Sequence, residues 1–268
     1  MPGTNLLFMV QNKTTGVSEG QLADFDSPLT YRSVTKQIGK NKLVNDVSFE
    51  MKPGETVLVC GLNGAGKTSL IRLALDFIRP DAGQITVFGH PATEAATRRR
   101  LAFLPERFSP SPELSGRQVL ELLCGLRGLP SHDVLFRPVL EQLDFPLDAI
   151  DSPSRQYSKG MTQKLGLTAT LMARAGLTIL DEPFSGLDPV ARKNVLDCLQ
   201  AIRREGRALL FTSHSLSGMG SLCDTVVVIH RASLIFSGSP GEMIERFGDD
   251  DLEQAFVNCI SQSNRSYA

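Results

Sequence analysis

The chain has 268 residues, 41% of them hydrophobic and 21% charged, which is enough apolar content for a sizeable core. Its formal net charge of −1 excludes the global basic field with which proteins hold nucleic acid or anionic lipid. The five cysteines, Cys60, Cys124, Cys198, Cys223 and Cys259, are odd in number and lack metal-ligand spacing, the usage expected of reduced thiols in a cytosolic protein.

Residues 1–27 are rich in Gly, Ser, Thr and Asn and are expected to form a loose extension ahead of one domain spanning 28–268. Met1–Val10 has no basic stretch before its apolar patch and does not read as a secretory leader. Strands are expected at Leu29–Val34 and Val44–Glu50, followed by a Pro53-Gly54 turn and a short Val-rich strand, Thr56–Cys60. A glycine-rich loop then leads into a helix expected from about Lys67 to Phe77. Arg98, Arg99 and Arg100 read as a solvated helix end. From there strands and helices alternate to about Phe247, the pattern of a mainly parallel sheet with helices on both faces. Leu177–Leu180, Ala208–Thr212 and Thr225–Ile229 are its expected buried strands. The stretch from Arg107 to about 155–160 has helical periodicity and several prolines, and is expected to be a helical insert. No apolar run reaches the roughly 20 residues of a membrane-spanning helix.

The most specific motif is Gly61-Leu62-Asn63-Gly64-Ala65-Gly66-Lys67-Thr68. It fits the phosphate-loop pattern, set between a strand and a helix. Glycines let successive backbone N–H groups curl around an anion, and the helix start adds unpaired N–H groups. These residues and Ser69 are the expected nucleotide contacts. Lys67 is expected to reach the β- and γ-phosphates and the Thr68 hydroxyl to ligate Mg²⁺.

Leu177–Leu180 ends in Asp181-Glu182. At the C-terminal end of a strand in a doubly wound sheet, Asp181 would lie beside the phosphate loop and hold Mg²⁺ through water. Glu182 would then orient or deprotonate the attacking water. Taken alone, acids at a strand end equally suit an ordinary polar turn. A second strand, Ala208–Thr212, ends in Ser213-His214, 33 residues after Asp181. Beside the phosphate loop and the two acids, His214 is placed to sense the γ-phosphate.

Three further segments make residues 29–257 resemble the ATP-binding-cassette (ABC) transporter ATPases. Tyr157-Ser158-Lys159-Gly160-Met161 is similar to that family's signature loop and lies 23 residues before Asp181, counted from Ser158; Ser185-Gly186-Leu187-Asp188 is similar to its D-loop, and Leu104-Pro105-Glu106 falls at its Q-loop. The resemblance implies an α/β fold: a P-loop NTPase with a mainly parallel sheet, an N-terminal antiparallel β part and an inserted helical subdomain at about 107–160. It also implies ATP hydrolysis in a dimer of two cassettes, most simply a homodimer, with Ser158 and Gly160 meeting the γ-phosphate held by the opposite subunit. A helix from Met161 to about Arg174 would aim its positive end at that phosphate. Asp188 would belong to the same shared site, and Glu106 would stand at the Mg²⁺. The implied partner is a separate integral membrane permease, so that the chain would lie on the cytoplasmic face of the cell membrane, with no nucleic acid bound.

Lys159 and Met161 replace the family's commoner Gly and Gln, and Glu106 replaces Gln. These variants and the segment Leu252-Glu253-Gln254-Ala255-Phe256 are similar to cassettes of exporters with separately encoded permeases. Ile38 stands where the family places an adenine-stacking aromatic, and Tyr31, the nearest aromatic before the phosphate loop, is expected to be a packing residue. Two other readings compete. A soluble cassette acting on ribosomes or nucleic acid generally carries two cassettes or long coiled coils, which this chain lacks. A phosphate-loop kinase would leave the signature segment unexplained.

Overall fold

The computed structural model describes residues 27–129, 133–248 and 251–266. The expected N-terminal extension therefore lies outside the described residues, apart from Ser27. Two sheets organise the chain. In the first, β1 (Thr30–Ile38), β2 (Asn41–Glu50), β4 (Ala82–Val87) and the two-residue β5 (His90–Pro91) run antiparallel in the order β2-β1-β4-β5. The second holds β3 (Thr56–Cys60), β6 (Leu101–Leu104), β7 (Leu177–Leu180), β8 (Ala208–Ser213), β9 (Thr225–His230) and β10 (Ser233–Gly238). Its order is β10-β9-β3-β8-β7-β6, parallel except where β10 turns back on β9. Strands β3, β7 and β8 are buried at every position, which is why they read as unbroken apolar runs.

Each face of the second sheet has its own core. On one, Val57, Val59, Ile179 and Ile229 pack against helix α1 (Lys67–Ala74) and the inner face of the antiparallel sheet, including Tyr31, Val34 and Val47. Tyr31 is a packing residue: it is buried, stacks on Phe49 at 4.6 Å between ring centroids, and donates its hydroxyl to Leu70 O at 2.9 Å. On the other face, Leu58, Phe211 and Val228 meet α6 (Pro189–Arg204) and α8 (Leu252–Ser266). Short helices α2 (Ala95–Arg99) and α7 (Pro240–Phe247) lie at the margins. The three-arginine run closes α2, with Arg98 3.5 Å from Asp76 and the Arg100 guanidinium 3.7 Å from the Phe88 ring centroid.

Between β6 and β7 the chain forms α3 (Gly116–Leu126), α4 (Asp133–Gln142) and α5 (Lys159–Met172). They share a separate apolar cluster of Val119, Leu120, Phe136, Leu140, Phe145, Ile150 and Leu165. All five cysteines are buried and unpaired.

Several boundaries differ from the sequence expectation. Helix α1 stops at Ala74 rather than Phe77 because the chain turns through Asp76 (φ 55°), and the Phe77 N–H returns to Arg72 O. The Phe77 side chain is 63% exposed. Helix α5 begins at Lys159, two residues before the expected start, because Ser158 is its N-cap. Strand β1 continues past Val34 to Ile38 through irregular register.

Candidate active site

Strand β3 delivers the chain into the Gly61–Thr68 loop, and β9 backs that loop. A Cβ on Gly61 would lie 2.2 Å from Ile229 O, and one on Gly66 (φ +117°) 2.5 Å from Leu43 O. Only glycine permits these two approaches. The Ala232 N–H also donates to Ala65 O at 3.0 Å. The loop thus rests on β2 and on the β9–β10 turn, with its concave side open to a cavity of about 510 Å³. Asn63 to Ser69, Leu43, Glu106, Glu182, Ser185 and His214 line that cavity.

Lys67 is buried, donates to Gly61 O at 2.7 Å, and has its ammonium 3.7 Å from Glu182 Oε1. The other Glu182 oxygen, Oε2, is 2.8 Å from His214 Nδ1. The carboxylate is therefore held between a lysine from α1 and a histidine from the end of β8. Glu182 has φ 50°, a left-handed conformation that costs a non-glycine residue on the order of 1–3 kcal/mol. Its N–H donates to Thr212 Oγ1 at 2.8 Å, and that hydroxyl donates onward to Asp181 Oδ1 at 2.7 Å. Strand order explains the relay: β8 lies between β3, which leads into the phosphate loop, and β7, which ends at the two acids, so Thr212 near the end of β8 is within reach of both acids.

Asp181 is buried, and burial pushes its carboxyl above the usual carboxylate range; the charges of Glu106 and Glu182 push the same way, against hydrogen bonds from Thr212 and Thr68. A hydroxyl and a carboxylate facing one another are hard oxygen donors of the kind Mg²⁺ takes alongside nucleotide phosphates. Among the described residues no group of three or more His, Cys, Asp or Glu side chains is placed to hold a metal.

The remaining expected residues lie elsewhere. Gly61 and Leu62 do not line the cavity. Ser158 and Gly160 sit at the start of α5, where the Ser158 hydroxyl accepts from Met161 N at 3.1 Å. Lys159 reaches Ser185 Oγ at 3.3 Å, its side chain lying against Gly186. Asp188 caps α6, accepting from Val190 N and Ala191 N at 2.9 Å each, and these donors hold its carboxyl below the usual range. Ser158, Gly160 and Asp188 do not line this chain's own phosphate-loop cavity. Ile38, 58% exposed at the end of β1, does not line it either. Leu43 of β2 does, and sequence reasoning missed it, as it missed Thr212. The available signal for Thr212 was a hydroxyl closing an otherwise apolar strand.

A profile of the family described as "ABC transporter" matches residues 44–185. The chain is 35% identical over 201 residues to an uncharacterized ABC transporter ATP-binding protein of Nostoc sp., covering 74% of this chain and 60% of that relative's length. It is 32% identical over 232 residues to Nod factor export ATP-binding protein I of Burkholderia orbicola, covering 85% of this chain and 76% of that one. A solved structure described as the ATP binding subunit of an ABC transporter superposes with a TM-score of 0.80 at 27% identity, covering 87% of this chain and 99% of the other.

Proposed function

Since this chain belongs to the ABC transporter family as an ATP-binding subunit, and is an ATPase, we propose that it is the motor of an exporter, closing with a second cassette around ATP to drive a separate membrane permease. The observation that carries the reading is the Glu182 carboxylate, fixed between Lys67 at 3.7 Å and His214 at 2.8 Å above the phosphate loop. In this reading the loop N–H groups and Lys67 bind the phosphates of ATP. Glu182 orients the attacking water and takes its proton. His214, freed from Glu182 by that exchange of partners, donates to the γ-phosphate. Thr68 and Asp181 would hold Mg²⁺, with Glu106 beside them. When bound, the ion would supply positive charge that offsets the charge of the phosphates.

The second cassette enters because Ser158, Lys159 and Gly160 stand on the surface at a helix N-terminus, outside the chain's own cavity. The donors that the phosphate loop lacks on its open side would come from that helix start in a partner copy. The permease reading draws on a second cavity that shares Thr68 and Glu106 with the first. Asp181, Arg72, Phe77, Phe103, Pro105 and Arg107 also line it, so a partner seated there would lie beside the residues assigned to Mg²⁺. No described helix is long and apolar enough to cross a membrane, which fits a chain held at the cytoplasmic face by its partner. Export is the direction that the name of the Burkholderia relative supports.

The test is Glu182→Gln. The carboxamide keeps the shape and cannot accept the proton, so ATP binding is retained and turnover lost. The variant is expected to elute as a dimer in Mg-ATP. A monomer with wild-type turnover would overturn the reading.

A further inference from the structure

The segment Leu252-Glu253-Gln254-Ala255-Phe256 opens α8, far in sequence from the phosphate loop. Leu252, Ala255 and Phe256 are buried in the core behind β8 and β9, which fixes the helix start. Glu253 is not used in that packing. Its Oε2 accepts the Ser215 hydroxyl at 3.3 Å and the Leu216 N–H. These two residues directly follow His214.

The backbone that carries His214 has left the sheet. Strand β8 ends at Ser213, whose hydroxyl donates to Ser215 O at 2.7 Å and closes a small turn around His214. The imidazole itself projects outward, its side chain 62% exposed. Apart from its contact with Glu182, the ring takes its position from the loop beneath it. From one side Arg192 of α6 donates to Ser217 O at 3.0 Å. From the other comes Glu253, a carboxylate in the first turn of α8, where unpaired N–H groups favour negative charge. Hydrogen bonds to an ionised acceptor are roughly twice as strong as neutral ones. A backbone N–H and a hydroxyl on consecutive residues, both held by one oxygen, fix the loop's orientation as well as its distance.

We infer that Glu253 is a positioning residue for His214: it clamps the loop that sets the imidazole against Glu182 and, in turn, the γ-phosphate. The inference rests on the reading of His214 given above. Displacements near 1 Å at a reacting centre can cost about 100-fold in rate, so a clamp behind the loop is felt in turnover. Nucleotide affinity comes chiefly from the phosphate loop, which Glu253 does not touch.

The experiment uses the full chain, with steady-state ATPase kinetics and ¹H–¹³C spectra of histidine-labelled protein. The sequence has four histidines, and His214→Gln assigns the signal of interest. Glu253→Ala is expected to lower kcat by about 10-fold or more while leaving KM for ATP within about three-fold. It should move the His214 signal and leave that of His90 in place. Glu253→Gln keeps a carbonyl acceptor and should recover kcat to within about three-fold of the wild type. A Glu253→Ala variant with kcat within two-fold of the wild type, beside an inactive His214→Gln, would overturn the inference alone. So would a fall in kcat with the His214 signal unmoved, which would mark a purely structural helix. Wild-type turnover by His214→Gln would overturn the reading of His214 and the inference with it.

Discussion

At the residue scale the site is built on opposing demands. Asp181 is buried with Glu106 and Glu182 as electrostatic neighbours, and its carboxyl is raised in consequence. An acid whose folded pKa lies above its unfolded value favours folding most at pH below the unfolded value, where it is protonated in both states. That contribution is lost as pH rises through the raised folded value. Above the unfolded value, burial of this acid therefore penalises the nucleotide-free protein, and Asp181→Asn should raise its melting temperature at neutral pH. The advantage should shrink towards pH 4 and vanish below it. The same exchange should remove Mg²⁺-dependent turnover, a trade of activity against stability common at active sites. Thermal melts of both proteins across pH 4–8 check the sign. An asparagine variant less stable than wild type at pH 7.5 would show that Asp181 is stabilised by its two hydroxyl partners more than it is penalised by burial.

Base recognition also belongs to single side chains. The family resemblance places an adenine-stacking aromatic at Ile38, yet Ile38 is exposed at the end of β1 and does not line the cavity, whereas Leu43 lines it beside Gly66. Partial burial of a leucine under a base should contribute about 1 kcal/mol. Leu43→Ala should weaken ATP binding about five-fold, since 1.4 kcal/mol corresponds to tenfold. Ile38→Ala should leave affinity within two-fold. Without a π-face at either position, the protein should discriminate little between ATP and GTP. Titration of both nucleotides by calorimetry decides it: an Ile38→Ala variant that alone loses ATP would return the base to β1.

At the scale of elements, what was legible in the sequence follows from how local its cause is. Strands β7, β8 and β9 were readable because they are buried on both faces and show as apolar runs. The phosphate loop was readable because its glycines act within eight residues. Strands β4 and β10 are partly exposed, and β6 is only four residues long at a sheet edge; their identity comes from the neighbours they pair with. The start of α5 was misplaced because Ser158 was read for its function and not as an N-cap, although Ser before a helical run is a start signal. Leu43, Thr212 and Glu253 share one reason for being missed. Each reaches the site through pairing or packing between elements distant in sequence, as when α8 meets the loop after β8. Helix α8 also reaches the end of β9, where Asn264 Oδ1 lies 3.0 Å from His230 Nε2, next to Ile229, whose carbonyl backs Gly61.

At the scale of the whole molecule, the proposed dimer would complete each site from two chains. The phosphate loop, Glu182 and His214 share one cavity, while Ser158 and Gly160 sit at the start of α5 outside it. If two copies pair head to tail, each hydrolytic site takes its loop from one subunit and its signature from the other. Lys67→Ala should then abolish nucleotide binding, because the phosphate charge loses its ionic partner. Ser158→Arg should keep ATP binding to the isolated subunit and abolish turnover; loss of the α5 cap costs about 1 kcal/mol, which a folded domain tolerates. Each variant alone is inactive in this scheme, yet a mixed dimer contains one composite site with an intact loop and an intact signature. Its other site carries both defects. Random reassortment of equal amounts makes half the dimers mixed, each with one working site of two, so activity should recover to about a quarter of wild type if the sites act independently. The measurement is ATPase activity of the two purified variants, alone and after mixing, with dimer formation followed by size-exclusion in Mg-ATP. Recovery clearly above the sum of the parents requires sites shared between chains. A mixture as inactive as its parents, while mixed dimers still form, would place Ser158 in its own subunit's chemistry.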